Sequence, residues 1–217
     1  MEIRPASDRS LLVSFGSEIS LEAHRRVLRF VRAFDKLPPG ILNWHPAYTS
    51  VLIDFDPRRW RYGDVESLVR ERVGLAGEHV PSDTRTVEIP VCYGGRFGPD
   101  LEDVARHTGL PAARVVELHS SAEYLVYFLG FSPGFPYLGG LPAELATPRL
   151  PAPRKLVPAG SVAIGGSQTG VYTVDSPGGW RIIGRTTMPL FDAAANPPAL
   201  LRIGDAVRFV PTSETPS

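Results

Sequence analysis

The sequence predicts an α+β fold in two parts: a small α/β sandwich over residues 1–80, then a domain of short β-strands over residues 81–217. Three observations carry this reading. Residues 1–79 alternate amphipathic patterns with few glycines and prolines, whereas residues 81–211 hold most of the chain's 21 glycines and 22 prolines. The segment Glu78-His79-Val80-Pro81-Ser82-Asp83 between them is polar and without period, as a linker would be. Hydrophobic residues make up 43% and charged residues 21% of the 217, an ordinary globular balance.

In the first part, residues 11–15 (LLVSF) read as a strand. Ser20 is a good N-cap, and Leu21, His24, Val27, Leu28, Val31 and Phe34 then recur on one helical face. His24 lies on that apolar face and reads as structural. Pro38-Pro39-Gly40 stops the helix, and residues 41–44 and 50–55 form two strands joined by a turn at Pro46. Val65, Leu68, Val69, Arg72 and Val73 mark a second helix, with Gly74 as its end. A strand over residues 86–91 extends this β-α-β-β-α pattern into a small sandwich.

The second part opens with two short helices. Asp100 is the expected N-cap of the first and Gly109 its stop, while Pro111 starts the second, which ends near His119. Residues 125–131 are an apolar run. Strands are then expected at 161–164, 171–174, 180–185 and 206–210, separated by Gly- and Pro-rich turns. Such a pattern suits a closed barrel or a sandwich.

Charge and motifs exclude several functions. Lys+Arg and Asp+Glu are both 23, which disfavours a basic nucleic-acid binder. Cys92 is the lone cysteine, so no intrachain disulfide and no cysteine zinc cluster forms; its apolar strand predicts a buried thiol. The N-terminus lacks an apolar signal core, and no run approaches 18 apolar residues, so no membrane span and a soluble cytoplasmic protein are expected. No HExxH, GxSxG or Walker A motif occurs.

Four constellations remain. Gly130 to Leu141 packs glycines and prolines around Phe131, Phe135 and Tyr137. It forms either a rigid aromatic-walled pocket or a barrel corner whose rings plug the core. Gly165-Gly166-Ser167-Gln168-Thr169-Gly170 is either an anion-binding nest or a hairpin turn exposing Gln168 and Thr169. Asp175-Ser176-Pro177-Gly178-Gly179-Trp180 is a turn that presents ligand contacts or merely caps itself, with Trp180 in the core. Arg154 and Lys155 are adjacent cations on a proline-stiffened segment, suited to a carboxylate or phosphate, or else a surface pair. Lys36 and Lys155 are the only lysines. His119, beside Ser120 and Ser121 at a helix end, is an acid, a base or a cap.

Ordered motifs then bring a resemblance into view. They are Ile89-Pro90-Val91-Cys92-Tyr93-Gly94-Gly95, Glu117-Leu118-His119-Ser120, Tyr127 through Leu141, Ala146-Thr147-Pro148-Arg149, Val157 through Ile164, Gln168-Thr169-Gly170-Val171-Tyr172, Ser176-Pro177-Gly178-Gly179-Trp180 and Gly204-Asp205-Ala206-Val207-Arg208-Phe209. Over about residues 3–211 the chain resembles the family of the B subunit of bacterial ATP-dependent 5-oxoprolinase. This family also carries the names KipI-type kinase inhibitor and allophanate hydrolase subunit 1. Thr173, where the family usually has proline, and Ser167, where asparagine alternates, are small departures.

The resemblance implies a cyclophilin-like β-barrel as the second domain, without implying prolyl isomerase activity. It implies two partners, the cyclophilin-like C subunit and the A subunit. Together the three would open 5-oxoproline to glutamate with ATP and Mg. The chain alone would be inactive, and a heterodimer is expected. Alternatives are an inhibitor of a histidine kinase, or a component of urea or allophanate metabolism. In this setting His119 and Lys155 are the expected catalytic residues. Phe135, Tyr137, Arg154, Gln168, Thr169, Tyr172, Ser176, Gly178 and Gly179 are the expected substrate contacts, and no metal ligands are expected. Lys155 or Arg154 would hold a carboxylate or phosphate, Gln168 and Thr169 would read the lactam amide, and His119 would transfer a proton.

Overall fold

A computed structural model describes residues 1–34, 36–75 and 85–213, and the expected linker at 78–83 lies outside the described residues. The chain divides into two compact units, Met1–Asp83 and Thr84–Ser217.

The first unit is an antiparallel sheet with two helices. β1 (Glu2–Ser7), β2 (Ser10–Ser14), β3 (Ile41–Pro46) and β4 (Ser50–Phe55) run in the order β1-β2-β4-β3. Alternation along β2 and β4 buries Leu11, Val13, Val51, Ile53 and Phe55. β1 went unread in the sequence because it is an edge strand, exposed along nearly its whole length and interrupted by Pro5.

α1 (Leu21–Ala33) buries His24, Val27 and Leu28 of the expected stripe and adds Ala23 and Phe30, while Leu21 stays exposed and Val31 half-buried. Burial lowers the His24 pKa to about 4, in keeping with a structural residue. The Ser20 hydroxyl accepts from the Ala23 N–H at 3.2 Å, satisfying an otherwise orphan donor. Replacing Ser20 with alanine is expected to cost the first unit about 1 kcal/mol, read as a lower urea midpoint.

α2 (Tyr62–Leu75) runs through Gly74 rather than ending there. Its Arg72, placed among apolar residues by the spacing, lies over the Phe34 ring at 5.2 Å and donates to the Ala33 carbonyl at 3.0 Å. The stem packs while the head satisfies the end of α1.

The second unit is built on β5 (Thr86–Tyr93), α3 (Leu101–Thr108), α4 (Ala112–Ser121), β6 (Tyr124–Leu129), β7 (Pro136–Gly139), β8 (Arg154–Val157), β9 (Ser161–Gly165), β10 (Gln168–Val171), β11 (Ser176–Gly178), β12 (Arg181–Arg185) and β13 (Ala206–Pro211). Seven strands close a barrel in the order β10-β7-β6-β13-β5-β12-β9, and β8 and β11 form a two-stranded ribbon. The whole is α+β, a small sandwich followed by a barrel.

Three expectations are corrected here. The strand at 86–91 belongs to the barrel and not to the small sandwich. It pairs in parallel with β13, from Ala206↔Thr86 to Pro211↔Val91, and points Ile89 and Val91 into the barrel core. The strand expected at 171–174 is instead β10, because the reversal falls at Gly166-Ser167 and Gln168 already pairs with Gly165. Cys92 is half-buried rather than buried.

α3 packs on β12 and α4, and α4 packs on β13. Gly109 ends α3 in the left-handed conformation (φ 71°) that its sequence position predicts. Asp100 sits at the N-cap position but makes no side-chain cap bond. Its carboxylate instead accepts from Arg154 Nη2 (2.6 Å) and from the Ile182 N–H (2.7 Å), joining the start of α3 to β8 and β12.

Candidate functional site

The Gly130–Phe135 reversal builds the site. The Phe135 N–H donates to the Ser132 carbonyl (3.1 Å) and the Gly130 N–H to the Phe135 carbonyl (3.1 Å). Within this turn Phe131 has φ 68°, the one non-glycine residue with positive φ among those described. The turn sends the Phe135 ring inward, 2% exposed, and leaves the Phe131 ring outward, 63% exposed.

Phe135 is the hub of an aromatic cluster. Its ring meets Tyr137, Tyr172, Trp180 and Phe131 edge to face, with centroids at 5.1, 5.2, 5.5 and 5.5 Å. Tyr137 also stacks on Phe128 at 4.5 Å. Glycines let the rings settle close to the strands. A Cβ on Gly165 would lie 2.5 Å from the Trp180 ring, and one on Gly178 would lie 2.2 Å from the Tyr172 hydroxyl.

The cluster leaves a cavity of about 90 Å³ lined by Phe131, Phe135, Tyr137, Arg149, Tyr172, Gly178, Gly179 and Trp180. The Arg149 guanidinium lies over the Trp180 ring, 5.6 Å from its centroid. Its backbone neighbours are tied down on both sides: Arg181 Nε donates to the Pro148 carbonyl (3.3 Å), and the Leu150 N–H donates to the Gly179 carbonyl (2.6 Å). Arg154 and Arg181 are paired with Asp100 and Asp103, whereas Arg149 has no carboxylate partner among the described residues. Burial raises the Tyr172 phenol, opposed by the Trp180 N–H it accepts from and then by the Arg149 charge; burial raises Tyr137 against the same charge.

The structure sorts the expected site residues. Phe135, Tyr137, Tyr172, Gly178 and Gly179 all line this cavity. Arg154, on β8, is committed to Asp100, and its Nη1 is buried without a bond. Lys155 follows it on β8, exposed and outside the cavity lining. Gln168 and Ser176 are half-buried on β10 and β11 and also lie outside the lining, each with a buried polar atom, Nε2 and Oγ, that makes no bond.

His119 and Thr169 are corrections. Both are 0% exposed, so neither reaches a groove or an exposed turn. His119 Nδ1 lies 2.7 Å from the Tyr93 hydroxyl and Nε2 lies 2.9 Å from Thr169 Oγ1. Thr169 spends its one proton on the Ala163 carbonyl (3.0 Å), so it accepts from Nε2–H, and Nδ1 accepts from Tyr93. Burial lowers the His119 pKa to about 3, which keeps this neutral tautomer. His119 is a tie inside the barrel, not a proton carrier at its surface.

The sequence reading missed Arg149 and Phe131 as site residues. Arg149 lies in the proline segment that also holds Arg154 and Lys155, and adjacency favoured that pair. Only the long-range partner of Arg154, Asp100, shows which arginine is left free.

A larger cleft of about 300 Å³ lies on another side of Tyr172, between Thr173, Arg185, Met188 and Phe191. Two of its polar groups are engaged: Thr173 Oγ1 donates to the Pro133 carbonyl and Arg185 Nε to the Ala159 carbonyl. The smaller cavity is the better candidate, since it joins flat aromatic walls to Arg149, whose guanidinium makes no hydrogen bond or ion pair among the described residues, whereas Arg185 in the larger cleft is tied to a backbone carbonyl.

The family described as "Carboxyltransferase domain, subdomain C and D" matches residues 1–201. The B subunit of 5-oxoprolinase from Escherichia coli O157:H7 is 45% identical over 95% of this chain and 94% of its own length. That of Bacillus subtilis (strain 168) is 42% identical over 98% and 93%. The chain belongs to the family of 5-oxoprolinase B subunits.

Solved structures share the fold. The PH0987 protein of Pyrococcus horikoshii is 48% identical over 98% of both chains, with a TM-score of 0.59. The TTHA0988 protein is 40% identical with a TM-score of 0.84; the match covers 95% of this chain, which spans 40% of that one's length. The urea amidolyase of K. lactis shares the fold at 22% identity and a TM-score of 0.78.

Within this member of the B-subunit family, the aromatic cavity is far below the roughly 300–1,000 Å³ of sites for larger ligands. At that size it does not enclose a nucleoside triphosphate. No helix among the described residues is long and apolar enough to cross a membrane.

Proposed function

We propose that the chain acts as the B subunit of a cytoplasmic ATP-dependent 5-oxoprolinase, opening 5-oxoproline to glutamate together with its A and C subunits. The observation that carries this reading is the set of relatives named as B subunits of 5-oxoprolinase, 41–45% identical over 95–98% of the chain. A lactam amide resists water, so its opening needs the oxygen activated, which is the chemistry ATP supplies. The aromatic cavity is too small for ATP, so nucleotide and magnesium are expected outside it. The chain alone is expected to be inactive.

Reconstitution tests the reading. The chain is co-purified with the C subunit encoded in its own genome, the A subunit is added, and ATP-dependent glutamate formation from 5-oxoproline is measured. Activity that needs all three chains is the expected result. A stable complex that makes no glutamate overturns 5-oxoproline as substrate. Failure to form any complex overturns the role within an assembly and favours a stand-alone inhibitor of a kinase.

A further inference from the structure

We propose that the aromatic cavity of this chain is itself a binding site for a small flat ring bearing a carboxylate, with Arg149 as the carboxylate anchor and Phe131 as a cover over the ring. The choice of ring acid rests on the 5-oxoprolinase reading; the site itself rests on geometry.

The walls set the shape of the ligand. Phe135, Tyr172 and Trp180 are 2%, 2% and 5% exposed and form a closed aromatic floor, so a ring seated in the cavity packs chiefly against the half-buried Tyr137 and the exposed Phe131. Gly178 and Gly179 line it without side chains and leave room for close approach of backbone. The space of about 90 Å³ limits the occupant to a single small ring.

Arg149 sets the charge of the ligand. Its guanidinium is spread over Trp180, which leaves the planar fork of N–H donors for an acceptor. The two nearby arginines, Arg154 and Arg181, have an aspartate each, and Arg149 has no carboxylate among the described residues. A carboxylate on the bound ring supplies what the protein withholds, in the two-pronged geometry that arginine favours.

Phe131 gives the third argument. Its ring stays 63% exposed while its backbone sits at φ 68°, and both features work against folding. Its ring approaches Phe135 at 5.5 Å and Tyr172 at 6.3 Å, at the border of the cavity. A strained, exposed aromatic side chain at a cavity mouth makes physical sense when a ligand completes its packing.

The test is an equilibrium titration of the full chain, and of its assembly with the partner subunits, with three probes. These are 5-oxoproline, 2-pyrrolidone (the ring without the carboxylate) and acetate (the carboxylate without the ring). The expected order is 5-oxoproline far ahead of both others. Arg149→Gln weakens 5-oxoproline by about tenfold or more and leaves 2-pyrrolidone unchanged. Phe131→Gly weakens all ring probes, yet its thermal midpoint does not fall, because glycine accepts the positive φ.

Unchanged 5-oxoproline affinity in Arg149→Gln and Phe131→Gly overturns the proposal. So does a native chain that binds no 5-oxoproline while the C subunit perturbs the aromatic cluster, since the cavity is then a partner's docking point. Glutamate formation is read separately. Binding that obeys these rules in an inactive assembly supports the site and overturns the enzyme reading.

Discussion

Replacing His119 with alanine is expected to destabilise the second unit by about 3 kcal/mol, a fall of roughly 10 °C in its thermal midpoint. The imidazole is fully buried and bridges three segments far apart in sequence: β5 through Tyr93, α4 through its own backbone, and β10 through Thr169. It also stacks on Phe209 of β13 at 4.6 Å, and its carbonyl accepts from the Tyr124 hydroxyl (2.7 Å). Truncation leaves a cavity and strips the Tyr93 hydroxyl of its acceptor in a place where burial already pushes that phenol well up. The same variant separates two roles. A groove acid or base would lose activity with the midpoint intact, whereas the buried tie loses the midpoint. Calorimetry of the variant decides between them, and an unchanged midpoint overturns the structural role.

The pH dependence of stability follows from the same burial. His119 is ordinarily protonated below 6.5, but in the folded barrel its pKa is about 3. Between those values the unfolded chain takes up a proton that the folded chain refuses. Stability from this group is therefore complete above pH 6.5 and is lost as pH falls toward 3, by up to about 1.4 kcal/mol per pH unit. Urea midpoints of the native chain and of His119→Ala, compared between pH 7 and 4, are expected to converge as pH falls. His24, with a pKa of about 4, adds an acid sensitivity of the same sign to the first unit, and the variant leaves that contribution untouched.

What was legible in the sequence was local. Ser20 and the stripe behind it marked α1, Gly109 marked the end of α3, and the density of glycine and proline marked a barrel of short strands. Interactions between distant segments were not legible. The strand at 86–91 is as good a sandwich strand as a barrel strand until its parallel pairing with β13, over a hundred residues on, is known. Arg154 looked free beside Lys155, yet Asp100, 54 residues earlier, takes it. His119 ends a helix, and nothing in that position reveals Thr169 fifty residues on. The aromatic residues of the site were legible because glycine and proline fix their directions locally. The cation that completes the site was not, because being unpaired is a property of the whole fold.

Gly178 and Gly179 show the same distinction at neighbouring positions, since a turn motif treats them alike and the fold does not. Gly178→Ala is expected to cost about 2–3 kcal/mol, whereas Gly179→Ala stays within about 0.5 kcal/mol. A Cβ on Gly178 would fall 2.2 Å from the Tyr172 hydroxyl and 2.7 Å from its ring carbons, and Tyr172 is only 2% exposed, so it has nowhere easy to go. Retreat would push the ring toward Phe135, whose centroid is 5.2 Å away, or into the cavity. A Cβ on Gly179 would meet nothing closer than Pro153 at 3.6 Å, which is ordinary contact. Urea denaturation of both variants, with 5-oxoproline titrated into each, reads the difference. Gly178→Ala should lose stability and ring binding together, because Tyr172 is at once a core residue and a wall of the site. Equal effects of the two substitutions would mean that the Tyr172 wall yields freely, and a wall that yields cannot select a ring by its shape.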